Sequence, residues 1–188
     1  MAKFEGKIIL VTGGTGSFGG YFVNYLLDKN FEEIRIFSRD ELKQEEMRLR
    51  FQNSKIKFHI GDVRDRDSVD DVMAGVDYVF HAAALKQVPT CEFFPMQATQ
   101  TNVMGSQNVI NSAISHGVSR AVCLSTDKAV YPVNALGITK ALMEKVVQST
   151  SRRLSEGQTV LTLVRYGNVL FSRGSVIPLF MKLIKEKK

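Results

Sequence analysis

The stretch Ile8-Ile9-Leu10-Val11-Thr12-Gly13-Gly14-Thr15-Gly16-Ser17-Phe18-Gly19 decides the fold of this chain. A run of residues suited to a buried strand leads directly into a turn that has, from Gly14, the spacing G-x-G-x-x-G. Glycines at this spacing allow a tight turn and let the next helix pack closely on the strand. The N–H groups that begin such a helix favour an anion. The order strand, turn, helix therefore predicts a dinucleotide site rather than an ordinary surface turn.

Further strands and helices alternate along the chain. Short and mostly apolar runs predict strands at 8–12, 33–37, 57–60, 78–82, 120–124 and 160–164. Helical segments are expected at 17–29, 39–52, 67–73, 95–116 and 136–155. This alternation predicts an α/β fold, a doubly wound parallel sheet of the Rossmann type with right-handed crossovers.

The composition and charge limit the class of protein. A chain of 188 residues that is 44% hydrophobic suits one globular domain, without an apolar run long enough to span a bilayer. Cys91 and Cys123 fit neither a disulfide framework nor a metal site, so we expect reduced thiols, no metal and a cytoplasmic protein. Half of the net charge of +6 lies in the last seven residues. The other basic residues are scattered and are not interleaved with aromatic residues. We expect no nucleic-acid partner and no membrane, and a preference for anionic small molecules.

The end of the second predicted strand bears on the choice of cofactor. Dinucleotide folds that bind NAD usually place an acidic residue there, whereas NADP needs a cation for its extra phosphate. Here neutral Ser38 is followed by Arg39, whose guanidinium suits a phosphate. Asp40 keeps NAD as the alternative, although it also suits a helix N-cap. The sequence therefore favours NADP over NAD. After the third predicted strand, Asp62, followed by Val63, is expected to accept a hydrogen bond from the adenine amino group.

Residues 175–188 predict an apolar, then basic helix at the end of the chain. A doubly wound nucleotide fold usually needs a further element to complete its ligand crevice. We therefore divide the chain into a Rossmann domain at 1–174 and the start of a C-terminal segment at 175–188. The C-terminal substrate-binding domain is expected to be missing from this chain.

Several motifs resemble the extended short-chain dehydrogenase/reductase superfamily over essentially the whole chain. They are His81-Ala82-Ala83-Ala84, Thr101-Asn102-Val103-Met104-Gly105 and the stretch 124–129 after the fifth strand. The stretches 37–41, 84–89, 125–132 and 165–169 are similar to nucleotide-sugar dehydratases of capsule and O-antigen polysaccharide biosynthesis. Within that group, the chain most resembles the inverting, 5-epimerising UDP-N-acetylglucosamine 4,6-dehydratases.

The resemblance implies a UDP-sugar substrate, tightly bound NADP and association into a homo-oligomer. Hydride would leave sugar C4 to make a ketone, which acidifies the C5 proton; water would leave C6, and hydride would return to C6. Reprotonation of C5 on the opposite face would then invert that centre. By resemblance Asp127 is the acid that helps water leave and Lys128 is the base at C5. Lys86 and Lys140 are candidates for a neighbouring cation that would help Lys128 lose its proton.

The glycine turn and the resemblance together give the expected binding residues. Cofactor contacts are expected from Gly13, Thr15, Gly16, Ser17, Phe18, Gly19, Ser38, Arg39, Asp62, Val63, Ala82, Ala83, Ala84, Asn102, Lys140 and Tyr166. Substrate contacts are expected from Lys86, Thr126 and Asn168. The alternative to a catalytic role for Asp127 and Lys128 is a solvent-exposed ion pair that contributes little to stability.

One departure from the superfamily pattern stands out. The signature Tyr-x-x-x-Lys places both side chains on one helix face, and Lys140 is present, but Leu136 occupies the tyrosine position. By resemblance, some dehydratases have methionine there, and leucine is near methionine in volume. The sequence therefore predicts a dehydratase of this kind and leaves three alternatives. The chain could be a truncated, catalytically impaired NADP-binding domain, a structural partner in an assembly, or a nucleotide-sugar epimerase or reductase of the same superfamily.

Overall fold

Six parallel strands form one sheet in the computed structural model, which describes residues 4–172 and 175–186. The order across the sheet is β3-β2-β1-β4-β5-β6. The strand bounds are β1 Ile8–Thr12, β2 Glu33–Ser38, β3 Ile56–Ile60, β4 Tyr78–His81, β5 Arg120–Leu124 and β6 Val160–Val164. The predicted doubly wound sheet is confirmed, and each strand lies within one residue of its predicted bounds.

Eight α-helices connect or follow the strands in the described residues. They are α1 Ser17–Leu27, α2 Glu41–Phe51, α3 Arg66–Met73, α4 Val88–Phe93, α5 Pro95–Thr99, α6 Gly105–Ser115, α7 Ala135–Ser151 and α8 Val176–Lys185. The single helix predicted at 95–116 is wrong in detail, because a π-helical segment at Gln100–Met104 separates α5 from α6. The short helix α4 was not predicted.

The core lies on both faces of the sheet because side chains alternate along each strand. In β1, Leu10 packs with Val79 and Ala121 on one face. Ile9 and Val11 pack with the helix residues of the other face. Strands buried on both faces explain the continuous apolar runs in the sequence.

The strand order reverses between β1 and β4, which pair directly with Thr12 opposite His81. Connections from these two strands run to opposite sides, so a crevice opens between them at the carboxyl edge of the sheet. Ligands of open α/β sheets bind in such crevices.

The C-terminal elements have less cover than the rest. Every other residue of β6 is exposed, and α8 has no buried residue. The boundary proposed at 174/175 stays a prediction, since residues 173 and 174 lie outside the described part, as do 187 and 188. Within residues 4–172 and 175–186, the helices are all too short or too polar to cross a membrane.

Candidate functional site

The turn after β1 forms a bare backbone cradle. Gly13 has a φ of 65°, and a Cβ atom there would lie 2.7 Å from the amide nitrogen of Ala83. A Cβ atom on Gly19 would lie 2.5 Å from the carbonyl oxygen of Gly13, so α1 packs on the turn only without one. Gly16 is the N-cap of α1, and the first turn of this helix has no acidic residue. The cradle fits the phosphates of a dinucleotide.

A cleft of about 660 Å³ opens at this cradle and is bordered by the loops that follow all six strands. Most of the predicted site residues line it, so the fold brings together residues that lie far apart in the sequence. The predicted residues that line it are Gly13, Thr15, Gly16, Ser17, Phe18, Gly19, Ser38, Arg39, Asp62, Val63, Ala82, Ala83, Ala84, Lys86, Thr126, Lys128, Lys140, Tyr166 and Asn168. The lining does not include Asn102 or Asp127.

The edge of the cleft at the end of β2 carries a cation. The Ser38 and Thr15 hydroxyl oxygens lie 2.7 Å apart, which ties this strand end to the glycine turn. Asp40 is the N-cap of α2, and its carboxylate accepts hydrogen bonds from the backbone N–H and the ammonium of Lys43. Arg39 is half exposed and donates to Asp62 at 3.3 Å. Asp40 is engaged as a cap, so the single long hydrogen bond to Asp62 is what an anion would have to displace to bind Arg39.

Asp62 occupies the edge of the cleft after β3. Burial raises the pKa of its carboxyl, but hydrogen bonds from Arg64 and the charge of Arg39 outweigh burial, and the net shift is downward. The carboxylate is therefore ionised at neutral pH. Its expected contact with an adenine amino group stays a prediction.

Asn102 lies behind the cleft, and its expected contact with the cofactor stays a prediction. This residue lies in the π-helical segment and is fully buried. Its oxygen accepts from the backbone N–H of Leu85 at 2.9 Å, and its nitrogen donates to the Leu85 carbonyl and the Thr139 hydroxyl, each at 3.1 Å. Asn102 thus holds the segment after β4 against α7 from behind the cleft, rather than lining it.

A buried polar network supports the end of β4. The Ser106 hydroxyl donates to the Asn102 carbonyl, so its oxygen accepts from His81 Nε2–H at 2.8 Å. His81 Nδ1 then accepts from the Thr12 hydroxyl at 2.7 Å. Burial lowers the pKa of His81 to about 3, so the ring is neutral. This network joins β1 to β4 below the glycine turn.

The Asp127–Lys128 pair lies after β5, at the open edge of the cleft. The Lys128 ammonium donates to Asp127 and to Asn168, each at 3.2 Å, so it bridges the loops after β5 and β6. The Thr126 hydroxyl donates to Asp127 at 2.8 Å. Hydrogen bonds from Thr126 and Lys128 lower the pKa of Asp127 and favour its carboxylate. The acid role expected of Asp127 would therefore require a bound sugar to displace one of these donors, and it stays a prediction.

Lys140 lies within the cleft wall on α7. Its side chain is buried, and its ammonium donates to the Leu124 carbonyl at 2.5 Å. Burial lowers the pKa of Lys140 to about 8. Leu136, one helical turn earlier, lines the cleft and packs with Cys91 and Ala98. The tyrosine position of the superfamily signature thus holds an apolar side chain that also belongs to the core.

Glu144 is a site-supporting residue that the sequence analysis missed. It is 4% exposed and lies one turn after Lys140 on α7. It accepts from Ser125 at 2.5 Å and from the Arg165 guanidinium at 2.8 and 2.5 Å. Hydrogen bonds from Arg165 lower the pKa of Glu144. Because Ser125 and Arg165 directly follow β5 and β6, this carboxylate fixes the two loops that carry Lys128 and Asn168.

Phe18 and Tyr166 connect the glycine turn to the loop after β6. Their rings stack with centroids 5.7 Å apart. Phe18 also stacks on Phe80 of β4, with centroids 6.3 Å apart. The two aromatic residues expected to contact the cofactor therefore contact one another across the cleft.

Known proteins are similar to this chain over nearly its whole length. The family described as "Polysaccharide biosynthesis protein" matches residues 9–188. A relative from Rickettsia prowazekii (strain Madrid E), described as UDP-glucose 4-epimerase, is 59% identical over 98% of this chain and 55% of its own length. A relative of the same description from Rickettsia typhi is 58% identical over the same shares. The chain thus spans about half the length of the curated relatives it matches.

Solved structures share the fold. Pen from Bacillus thuringiensis is 41% identical with a TM-score of 0.95, over 98% of this chain and 57% of that one. DesIV from Streptomyces venezuelae, a dTDP-glucose 4,6-dehydratase solved with NAD and TYD, is 24% identical with a TM-score of 0.84, over 96% and 62%. At that identity DesIV supports the fold alone. The fold is that of nucleotide-sugar epimerases and dehydratases, and the chain belongs to the polysaccharide biosynthesis protein family.

Proposed function

We propose that this chain is the cofactor-binding part of a nucleotide-sugar enzyme that oxidises a sugar at C4 and reduces it again. The observation that carries the proposal is the shared cleft. The cradle at Gly13–Gly19 and Lys128 line one crevice at the carboxyl end of the sheet, and Asp127 accepts a hydrogen bond from Lys128 at its edge. A nicotinamide cofactor bound there would supply the acceptor and donor of a hydride.

NADP is the proposed cofactor. Ser38 is neutral, Arg39 is half exposed, and the neighbouring carboxylate of Asp40 is engaged as the cap of α2. An acidic side chain free to bind ribose hydroxyls is what NAD would require at this strand end. The alternative is NAD, which DesIV carries.

Side chains of the cleft would bind the two ligands and move protons. Lys140 would orient the nicotinamide ribose from the cleft wall, and Thr126 and Asn168 would hold sugar hydroxyls. Asp127 and Lys128 would move protons at the sugar, because they place an acceptor and a donor at adjacent positions. Leu136 cannot take a proton from the C4 hydroxyl, so that step falls to this pair.

Two reactions begin from the same 4-ketone. The first candidate is 4-epimerisation, which the description of the Rickettsia relatives favours. The second is 4,6-dehydration of UDP-N-acetylglucosamine with inversion at C5, which the Asp127–Lys128 pair favours. Epimerisation returns hydride to C4 and leaves C5 untouched, whereas dehydration exchanges the C5 proton.

Product analysis in deuterated water distinguishes the candidates. The chain, and a chimera that adds the remaining C-terminal part of the R. prowazekii relative, are incubated with UDP-glucose or UDP-N-acetylglucosamine and followed by NMR. Epimerisation gives a C4 epimer without deuterium, and dehydration gives a 4-keto-6-deoxy sugar with deuterium at C5. We expect more turnover from the chimera. A folded chimera that binds cofactor yet converts neither sugar would contradict the proposal.

Matched variants test the acid–base pair. Asp127→Asn should abolish turnover but leave cofactor affinity unchanged, because Asp127 is proposed to act on the sugar and is not among the proposed cofactor contacts. Asp77→Asn is the control, since Asp77 is also paired with a lysine, Lys7, at a site away from the cleft. Equal losses from both variants would show that Asp127 acts only through stability.

A further inference from the structure

Four side chains form a hydrogen-bonded row that begins at the edge of the cleft, where Arg39 and Asp62 line it, and continues beyond the lining. Arg39 follows β2, Asp62 and Arg64 follow β3, and Gln97 lies in α5. The Arg39 guanidinium donates to Asp62, and the Arg64 guanidinium donates to Asp62 and to Gln97, the latter at 2.8 Å. One carboxylate is therefore shared between two cations.

The two cations hold Asp62 unequally. Arg64 donates to Oδ2 of Asp62 from Nε at 2.8 Å and from Nη2 at 2.6 Å, and its backbone N–H donates to Oδ1 at 3.0 Å. Arg39 makes one hydrogen bond, at 3.3 Å, and 53% of its side chain is exposed. Two short charge-assisted hydrogen bonds from one guanidinium hold a carboxylate more strongly than one long hydrogen bond. Asp62 therefore keeps its main counter-ion when Arg39 moves away.

This inequality matters because Arg39 has two competing acceptors. Asp62 is one, and a phosphate on the ribose of a cofactor is the other. A carboxylate without Arg64 would attract Arg39 more strongly and hold it away from the phosphate. Removal of the carboxylate would release Arg39.

We propose that Arg64 and Asp62 together set the preference for NADP over NAD, with Asp62 holding Arg39 back and Arg64 weakening that hold. The inference rests on the proposed nicotinamide site and adds two specificity-determining residues to it. Neither residue needs to touch the extra phosphate.

The proposal predicts effects of opposite sign. Asp62→Asn should raise the ratio of NADPH to NADH affinity about two- to fivefold, the range for a half-exposed ion pair. Arg64→Gln should lower that ratio by a similar factor. The backbone bond from residue 64 to Asp62 Oδ1 remains in Arg64→Gln and keeps the carboxylate in place. Loss of an adenine contact cancels in the ratio, because both cofactors carry the same adenine.

A nearby ion pair provides the matched control. Arg66 and Asp70 of α3 lie 3.5 Å apart and do not line the cleft. Arg66→Gln and Asp70→Asn change the net charge as the test variants do, so they measure the general effect of charge on the more anionic cofactor. We expect both controls to change the ratio by less than the test variants.

The experiment is a fluorescence titration of NADPH and of NADH into the wild type and the four variants, with thermal melts to verify folding. Asp62→Ser serves as a second variant if Asp62→Asn does not fold. A rise with Asp62→Asn and a fall with Arg64→Gln, beyond the controls, support the inference. Shifts of the same sign, shifts matched by the controls, or a wild type that prefers NADH overturn it. A folded wild type that binds neither cofactor contradicts the proposed function itself.

Discussion

Substitution of Gly13 by alanine should remove cofactor binding, and its cost can be divided into two parts. The first part is backbone strain, because Gly13 has a φ of 65° and an L-residue in this region costs about 1–2 kcal/mol. The second part is steric. The new Cβ atom would lie 2.7 Å from the Ala83 nitrogen and 2.8 Å from its Cα atom, so backbone must move. Overpacking of this kind costs about 1–3 kcal/mol.

Substitution of Gly117 by alanine measures the backbone strain without the steric cost. The φ of Gly117 is 67°, close to that of Gly13, but among the described residues a Cβ atom there would have no neighbour within 4 Å. Gly117→Ala should therefore lose only the strain, about 1–2 kcal/mol, and keep full cofactor affinity. Gly13→Ala should lose about 2–5 kcal/mol and displace Ala83, which lines the cleft.

Urea denaturation gives the free energy of unfolding of both variants, and NADPH titration gives their affinities. We expect a larger loss of stability for Gly13→Ala and a loss of affinity in that variant alone. Equal losses of stability would refute the steric part of the account. Retention of wild-type affinity by a folded Gly13→Ala variant would refute the assignment of the cradle.

Three further predictions concern α7 and its contacts. Ser125→Ala should lower the free energy of unfolding in denaturant by about 1.5–3 kcal/mol, because it removes a hydrogen bond to the buried Glu144 carboxylate. Ser112→Ala is the control and should cost less, because the Ser112 hydroxyl lies 3.4 Å from Nδ1 of His116. Lys140 has a folded pKa of about 8 against an ordinary 10.5, so its buried charge destabilises the fold below pH 8. The wild type should therefore gain about 3 kcal/mol relative to Lys140→Met between pH 8 and 10.5, and parallel stability curves would contradict this. Leu136→Tyr should cost about 1–3 kcal/mol of unfolding free energy by overpacking, and a fully stable variant would show that the ring has room in the cleft.

The sheet could be predicted because strands buried on both faces leave continuous apolar runs. The run Ile8–Thr12 and the glycines after it fix a strand, a turn and a helix in a local pattern that tertiary contacts do not need to correct. The interruption of the helix predicted at 95–116 had no such signal. The π-helical segment turns Asn102 toward Leu85 and Thr139, and that contact depends on the packing of three distant parts of the chain.

The candidate site divides in the same way. Residues at strand ends, such as Arg39 and Lys128, were predictable because the carboxyl edge of a parallel sheet gathers them. Glu144 was not, since a glutamate on a helix is ordinarily exposed. Its spacing of four from Lys140, on a face with Met143 and Val147, was the available signal. Pairing with Arg165 and Ser125 became visible only when β5 and β6 were adjacent.

Amide chemical shifts test the central claim most directly. NADP⁺ is added to the ¹⁵N-labelled chain, and shifts are followed residue by residue. We expect saturable changes at Gly13, Gly16, Gly19, Asp62 and Ala83, which line one cleft. Saturable changes confined to other surfaces, or none in the folded chain at millimolar NADP⁺ and NAD⁺, would contradict a dinucleotide site at this cradle.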